Sequence, residues 1–166
     1  MNTQKMPEVS TVLTELARSM QSLSRENPIM VGIHSGGVDV AGVLHQQLQL
    51  QDPLSTVDIS FYRDDFTRIG LNPEVKSTRL MSSIDDRHVI LVDDVLQTGR
   101  TIRAALNVLF DYGRPLSVKL AVLIERDGRE LPIQPEFVGR HLELGNTQHI
   151  KLVNPDRLQL VLKELS

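Results

Sequence analysis

The run Val89-Ile90-Leu91-Val92 has no polar face, and it restricts the fold more than any other segment of the chain. Side chains alternate sides along a strand, so a strand that is apolar throughout needs cover on both faces. That is the position of a central strand in a parallel sheet with helices packed above and below. The surrounding sequence repeats the pattern. Leu13, Leu16, Ala17, Met20 and Leu23 predict a helix over about 8–23, broken by Glu26-Asn27-Pro28. Ile29–Ile33 reads as a short buried strand and His34-Ser35-Gly36-Gly37 as a turn. Val40, Val43, Leu44 and Leu48 then mark a second helix. A strand is expected over 56–62. After the central strand, Ile102, Ala105, Leu106, Leu109 and Phe110 form a regular helical stripe that Gly113 and Pro115 stop. Strands are expected over 117–124 and 137–144. Asn154-Pro155 predicts a helix start, with Leu158, Val161, Leu162 and Leu165 on one face of a final helix. The expectation is one α/β domain over 1–166 with a mostly parallel sheet, whose ligands sit at the carboxyl ends of the strands.

That end of the central strand carries unusual chemistry. Asp93 and Asp94 follow the apolar run, and a small-residue turn, Gln97-Thr98-Gly99, follows them before the next helix. Adjacent carboxylates favour neither burial nor joint ionisation unless hydroxyl donors or a cation answer them. A sugar with vicinal hydroxyls and a nearby magnesium ion supplies both. The turn supplies the complementary half. A helix N-terminus presents unpaired backbone N–H groups to an anion, Gly99 permits close approach, and Thr98 and Thr101 add hydroxyl donors. Diol-binding acids beside a phosphate cradle describe a sugar phosphate. Taken singly, the aspartates could merely end a strand and Thr98 could merely cap a helix; the combination favours a site.

Composition narrows the field. A net charge of −3 and 40% hydrophobic residues over 166 positions fit a globular domain and argue mildly against general nucleic-acid binding. The absence of cysteine removes disulfide and thiolate chemistry and is compatible with the cytoplasm. Met1–Lys5 offers no signal-peptide core, and no run approaches the roughly 20 apolar residues of a membrane span. The patterns of P-loop and dinucleotide-binding proteins are missing. His45, His88, His141 and His149 lack metal-ligand spacing and read as surface or packing residues; no protein-held metal is expected.

The segment Val89–Thr101 resembles the phosphoribosyl-pyrophosphate (PRPP) motif of type I phosphoribosyltransferases. The strings Asp58–Asp65, Phe110–Pro115, Arg129-Glu130-Leu131-Pro132-Ile133 and Val138-Gly139 resemble one branch of that family, the pyrimidine operon attenuation regulators that are also uracil phosphoribosyltransferases. The likeness spans about 29–152. It implies a central sheet with a small hood near 125–140 and a flexible lid near 63–83. It implies that Asp93 and Asp94 grip the ribose, that Val95, Leu96, Gln97, Thr98, Gly99, Arg100 and Thr101 complete the PRPP loop, and that Mg2+ arrives with PRPP. His34, Ser35, Gly36, Gly37, Arg63 and Arg79 would meet the pyrophosphate, with Arg63 counted among the catalytic groups. Arg126, Arg129 and Ile133 are candidate base contacts. The implied partners are PRPP, uracil, UMP, a pyrimidine leader messenger RNA and further copies of the chain, with no membrane. An RNA face could carry Arg18, Arg25, Arg140 and Lys151.

Where the branch usually has Thr-Arg-Gly, this chain has Ser35-Gly36-Gly37, so a pyrophosphate-binding arginine is missing and catalytic efficiency is in question. Three functions stay open: a uracil enzyme, an RNA-binding regulator with little catalysis, and a purine phosphoribosyltransferase, since the sugar-phosphate motif does not specify the base.

Overall fold

The computed structural model describes residues 5–60 and 78–165. Five strands, β1 (Ile29–Ile33), β2 (Ser55–Val57), β3 (His88–Leu96), β4 (Ser117–Arg126) and β5 (Phe137–Leu142), form one all-parallel sheet in the order β2-β1-β3-β4-β5. Helices α1 (Val9–Met20), α2 (Gly36–Leu48) and α3 (Arg100–Tyr112) join or precede them, and α1 continues as a 3-10 turn over Gln21–Glu26. The order places β3 at the centre, as an apolar strand requires.

Period-two alternation divides the interior into two cores. Met30, Ile90, Val92, Ala121 and Leu123 face α1 and α2, with Leu13, Leu16, Met20, Val40 and Leu44 packed on them. Their chain neighbours Ile29, Val31, Val89, Leu91, Leu120 and Val122 face α3, with Ile102, Ala105 and Leu109. Past Asp94 the alternation breaks: Val95 packs with the first core and Leu96 with the second. Strict alternation would have given the reverse, so the side chains of β3 turn where the aspartates sit.

The expected final helix is not formed. Residues 148–164 make an antiparallel hairpin of β6 (Gln148–Val153) and β7 (Gln159–Glu164). Asn154 lies in the left-handed region (φ 59), and the Arg157 N–H donates to the Asn154 carbonyl at 2.9 Å, closing the turn that a helix cap would have opened. Leu158, Leu160 and Leu162 alternate with Gln159, Val161 and Lys163, and the first three join the α1–α2 core. The helical stripe shared two of these leucines, and the two-residue period decided.

Other boundaries differ by less. β2 covers only the start of the expected 56–62 strand, and residues 61 and 62 lie outside the described part. β3 runs on through Asp93 and Asp94 rather than ending before them. Most of the expected lid, including Arg63, also lies outside the described residues. Its far end is tied to β2: Thr56 and Arg79 exchange backbone hydrogen bonds of 2.9 and 2.8 Å, and the Met81 N–H donates to Ser55 Oγ at 2.9 Å.

A polar clip joins the loop before β2 to the start of β3. Arg87 Nη2 donates to Asp52 Oδ2 at 2.6 Å and to the Asn27 carbonyl at 2.8 Å, and Ser82 Oγ donates to Asp52 Oδ1 at 2.9 Å. The Arg87 hydrogen bond, with Ser82 second, holds the Asp52 carboxyl below the usual carboxylate range. A lowered folded-state pKa stabilises the fold above the unfolded value, and this contribution disappears as pH falls through the folded value. Asp52→Asn should therefore cost up to about 1 kcal/mol at pH 7, since the pair is partly exposed, and the gap should narrow in urea melts as pH falls below the ordinary carboxylate range. The hairpin makes a second prediction. Leu160→Ala should cost about 2–4 kcal/mol in the same melts and Val161→Ala less than about 1 kcal/mol. A helix would reverse that order.

Candidate active site

The elements converge at the carboxyl end of the sheet on a cleft of about 490 Å³. It is lined by His34, Ser35 and Gly36 after β1, Asp39 in the first turn of α2, and Asp93, Asp94 and Val95 of β3. Thr101 of α3 and Lys151 and Leu152 of β6 complete it. Two helices of 13 residues begin here, α2 at Gly36 and α3 at Arg100. Both therefore turn the positive ends of their dipoles toward one cleft, an arrangement suited to a ligand with two separate anionic groups.

Neighbouring strand carboxylates ordinarily diverge. Here both approach the start of α2. A Cβ on Gly36 would overlap Asp94 Oδ2 outright, and one on Gly37 would lie 2.6 Å from the Val92 carbonyl and 3.1 Å from Asp93 Oδ1. The glycine pair thus lets the helix settle against the aspartates. Each carboxylate also accepts from the next amide: Asp93 Oδ1 from Asp94 N–H at 2.9 Å, and Asp94 Oδ1 from Val95 N–H at 2.8 Å. Asp93 is 5% exposed, while Asp94 is half-buried and opens on the cleft. The His34–Ser35 peptide bond is cis.

The rest of the expected PRPP loop meets the segment expected to form the hood. Gly99 caps α3 with φ 91, a conformation glycine adopts without strain. Thr98 Oγ1 accepts from the Arg100 N–H at 3.1 Å, and the Thr98 carbonyl accepts from the amides of Glu130 and Leu131 at 3.0 and 3.2 Å. Arg129 Nε donates to the Gln97 carbonyl at 2.8 Å, Nη1 donates to the Ile133 carbonyl, and Nη2 pairs with Glu125 Oε1 at 2.7 Å. Arg100 Nε reaches Glu130 Oε2 at 2.6 Å. The Arg129–Ile133 string therefore braces the loop. Leu96 is buried in the second core.

The other candidates fall elsewhere. Arg126 is 3% exposed and donates to the carbonyls of Gln148 (2.6 Å), the first residue of β6, and Gly145 (3.2 Å), in the connection that precedes it. Arg126, Arg129 and Ile133 line a second cavity of about 620 Å³ with Gly128, Leu131 and His141. Arg79 is exposed and is not among the described residues lining the first cleft; Arg63 lies outside the described part. Asp39 and Leu152 were missed, and Lys151, named for an RNA face, lines this cleft instead. Asp39 could have been found as an acid in the first turn of a helix at an anion site. Lys151 needed the hairpin.

Comparison with known proteins defines the family. Residues 4–151 match the phosphoribosyl transferase domain model, and the chain belongs to that family. It is 57% identical over 148 residues to Bifunctional protein PyrR of Nitrosococcus oceani, covering 88% of this chain and 84% of that one. Bifunctional protein PyrR of Pseudomonas aeruginosa (strain LESB58) is 56% identical over 141 residues, 85% and 83% of the two chains. The branch expected from the sequence is thus the one these relatives occupy. Among solved structures, a hypoxanthine phosphoribosyltransferase from Staphylococcus aureus superposes with a TM-score of 0.67 at 19% identity, over 84% of this chain and 78% of that one. A hypoxanthine-guanine-xanthine phosphoribosyltransferase gives 0.63 at 22%, over 84% and 79%. These two speak for the fold alone. Among the described residues no helix is long and apolar enough to cross a membrane.

The brace is testable. Arg129→Met keeps the aliphatic stem and removes three donors, so it should lower stability by about 1–3 kcal/mol through the carbonyls and carboxylate left unpaired. UMP affinity should fall with it, measured by calorimetry on the folded variant, whereas a base-contacting arginine would lower affinity and leave stability unchanged.

Proposed function

We propose that the protein transfers the phosphoribosyl group of PRPP to uracil, giving UMP and diphosphate, and that the same nucleotide pocket lets it regulate pyrimidine gene expression in the cytoplasm. The observation that carries this reading is the paired aspartates at a cleft where two helix N-termini meet. The name of its relatives, Bifunctional protein PyrR, supports the pyrimidine branch.

In this reading Asp93 and Asp94 hold the ribose hydroxyls. As the bond from the anomeric carbon to pyrophosphate weakens, positive charge grows on the sugar ring, and the two carboxylates stabilise it. The start of α3, with Thr101, binds the 5′-phosphate. The start of α2 and the Ser35-Gly36-Gly37 loop meet the pyrophosphate. The hood covers the base and excludes water, which would otherwise capture the cation. Uracil's ring nitrogen forms the new bond to the anomeric carbon, its proton is lost to solvent or base, and diphosphate leaves.

Magnesium fits this cleft as a guest of the ligand. Among the described residues no cluster of three or more metal-ligating side chains occurs, but Asp94 opens on the cleft beside Asp39, and this hard ion keeps water and phosphate oxygens as most of its ligands. When bound it neutralises charge on the pyrophosphate.

The regulatory half rests on the relatives and on the surface. Arg18 and Arg25 are exposed, and Arg140 pairs with Glu15 of α1 at 2.5 Å, which leaves a basic RNA face to be gathered by two copies of the chain. Met81, Phe110, Tyr112 and Leu116 are each more than half exposed, as suits a homo-oligomer interface.

The decisive assay is release of diphosphate from PRPP and uracil with Mg2+. Asp94→Asn should lower kcat/KM by roughly 100-fold, the scale expected when one group stabilising a charged transition state is lost. Thermal-shift measurements should show stabilisation by UMP above that by GMP or AMP; stabilisation by a purine nucleotide alone would transfer the assignment to the purine enzymes. Gel shifts with the organism's own pyrimidine leader RNA should exceed those with random RNA at equal salt.

A further inference from the structure

We infer that Lys151, on β6, supplies the cation that the pyrophosphate loop of this chain lacks. The inference rests on the proposed phosphoribosyl-transfer reading and deepens it.

Pyrophosphate leaves with several negative charges, and the loop that meets it, Ser35-Gly36-Gly37, carries none of the opposite sign. Restoring an arginine at position 36 is not a simple remedy, because any Cβ there overlaps the Asp94 carboxylate. The positive charge has to come from another element. Among the described residues that line the cleft, Lys151 alone has a permanent cation, and it lines the same cleft as His34, Gly36 and Asp94.

Local structure holds it there. Lys151 pairs with Val161 across the hairpin, and its neighbour Leu152 is buried in the α1–α2 core. Leu152 therefore anchors the strand while Lys151 stays exposed. Other basic side chains nearby are committed. Arg126 and Arg129 hold carbonyls, Arg100 pairs with Glu130, and Arg140 pairs with Glu15. Lys151 makes no ion pair among the described residues.

UMP lacks the pyrophosphate group, and this gives a test that separates the role from a structural one. Calorimetric titrations of wild type, Lys151→Gln and Lys151→Arg with PRPP, inorganic pyrophosphate and UMP, all with Mg2+, would be compared. Loss of one charge-assisted contact should weaken PRPP and pyrophosphate binding by Lys151→Gln about tenfold, with UMP binding within about twofold of wild type and Lys151→Arg close to wild type. The salt dependence of PRPP binding should also flatten in Lys151→Gln. Equal PRPP affinity in wild type and Lys151→Gln would overturn the inference, as would a parallel loss of PRPP and UMP binding, which would mark Lys151 as a prop for the hairpin. A wild-type protein that binds neither PRPP nor UMP would remove the underlying reading as well, and is distinguishable because it precedes any variant.

Discussion

The contact between the first turn of α2 and the aspartates of β3 is the constraint on which the site depends. Helices normally stand off a sheet by the length of their side chains. At Gly36 and Gly37 there are no side chains, and the helix backbone comes down onto Val92, Asp93 and Asp94. The approach offsets the repulsion of a pair of like charges, since it places the positive end of a helix dipole beside them. It also explains why β3 can carry two adjacent carboxylates after being apolar on both faces. The strand is central and covered along its apolar stretch, and Asp93 and Asp94 lie where α2 begins.

A second dependence runs through Arg129. One guanidinium gathers the carbonyls of Gln97 and Ile133 and the carboxylate of Glu125, and so joins the turn before α3 to the loop after β4. Gly99 lies beneath it, within ordinary contact distance of Ile133, Arg129 and Leu131 were it to carry a Cβ. The turn before α3, proposed to hold phosphate, and the loop after β4, proposed to meet the base, are therefore parts of one hydrogen-bonded body. The string that most resembled a single branch of the family carries this joint.

Much of the architecture was legible because the core is written in simple periods. The all-apolar run of β3 demanded a central place, and the helical stripe from Ile102 to Phe110 matched α3. The Asp93–Asp94 pair and the Gly36–Gly37 turn could be assigned to one end of the sheet because parallel topology brings strand ends together. The segment from 148 to 164 was misread because Leu158 and Leu162 satisfy a helical spacing and a strand alternation equally, and Leu160 breaks the tie only when its burial is known. The cleft's third wall was hidden for the same reason: Lys151 belongs to the site only if its segment is a hairpin folded back beside β3. Hydrogen bonds from Arg129 to backbone carbonyls left no trace in composition or spacing, so the brace could not be anticipated.

The joint made by Arg129 has a consequence for how such a scaffold can change its substrate. If the hood were an independent cap, a new base preference could be acquired by exchanging the loop between β4 and β5 and leaving the rest intact. Here that loop also holds the shape of the turn that starts α3. A graft from a purine-using cousin would have to bring its own anchor for the Gln97 carbonyl, or the imported recognition surface would arrive at the cost of the floor it stands on. On the proposed function, a change of base preference would have to be sought in residues of the loop that face outward from the joint.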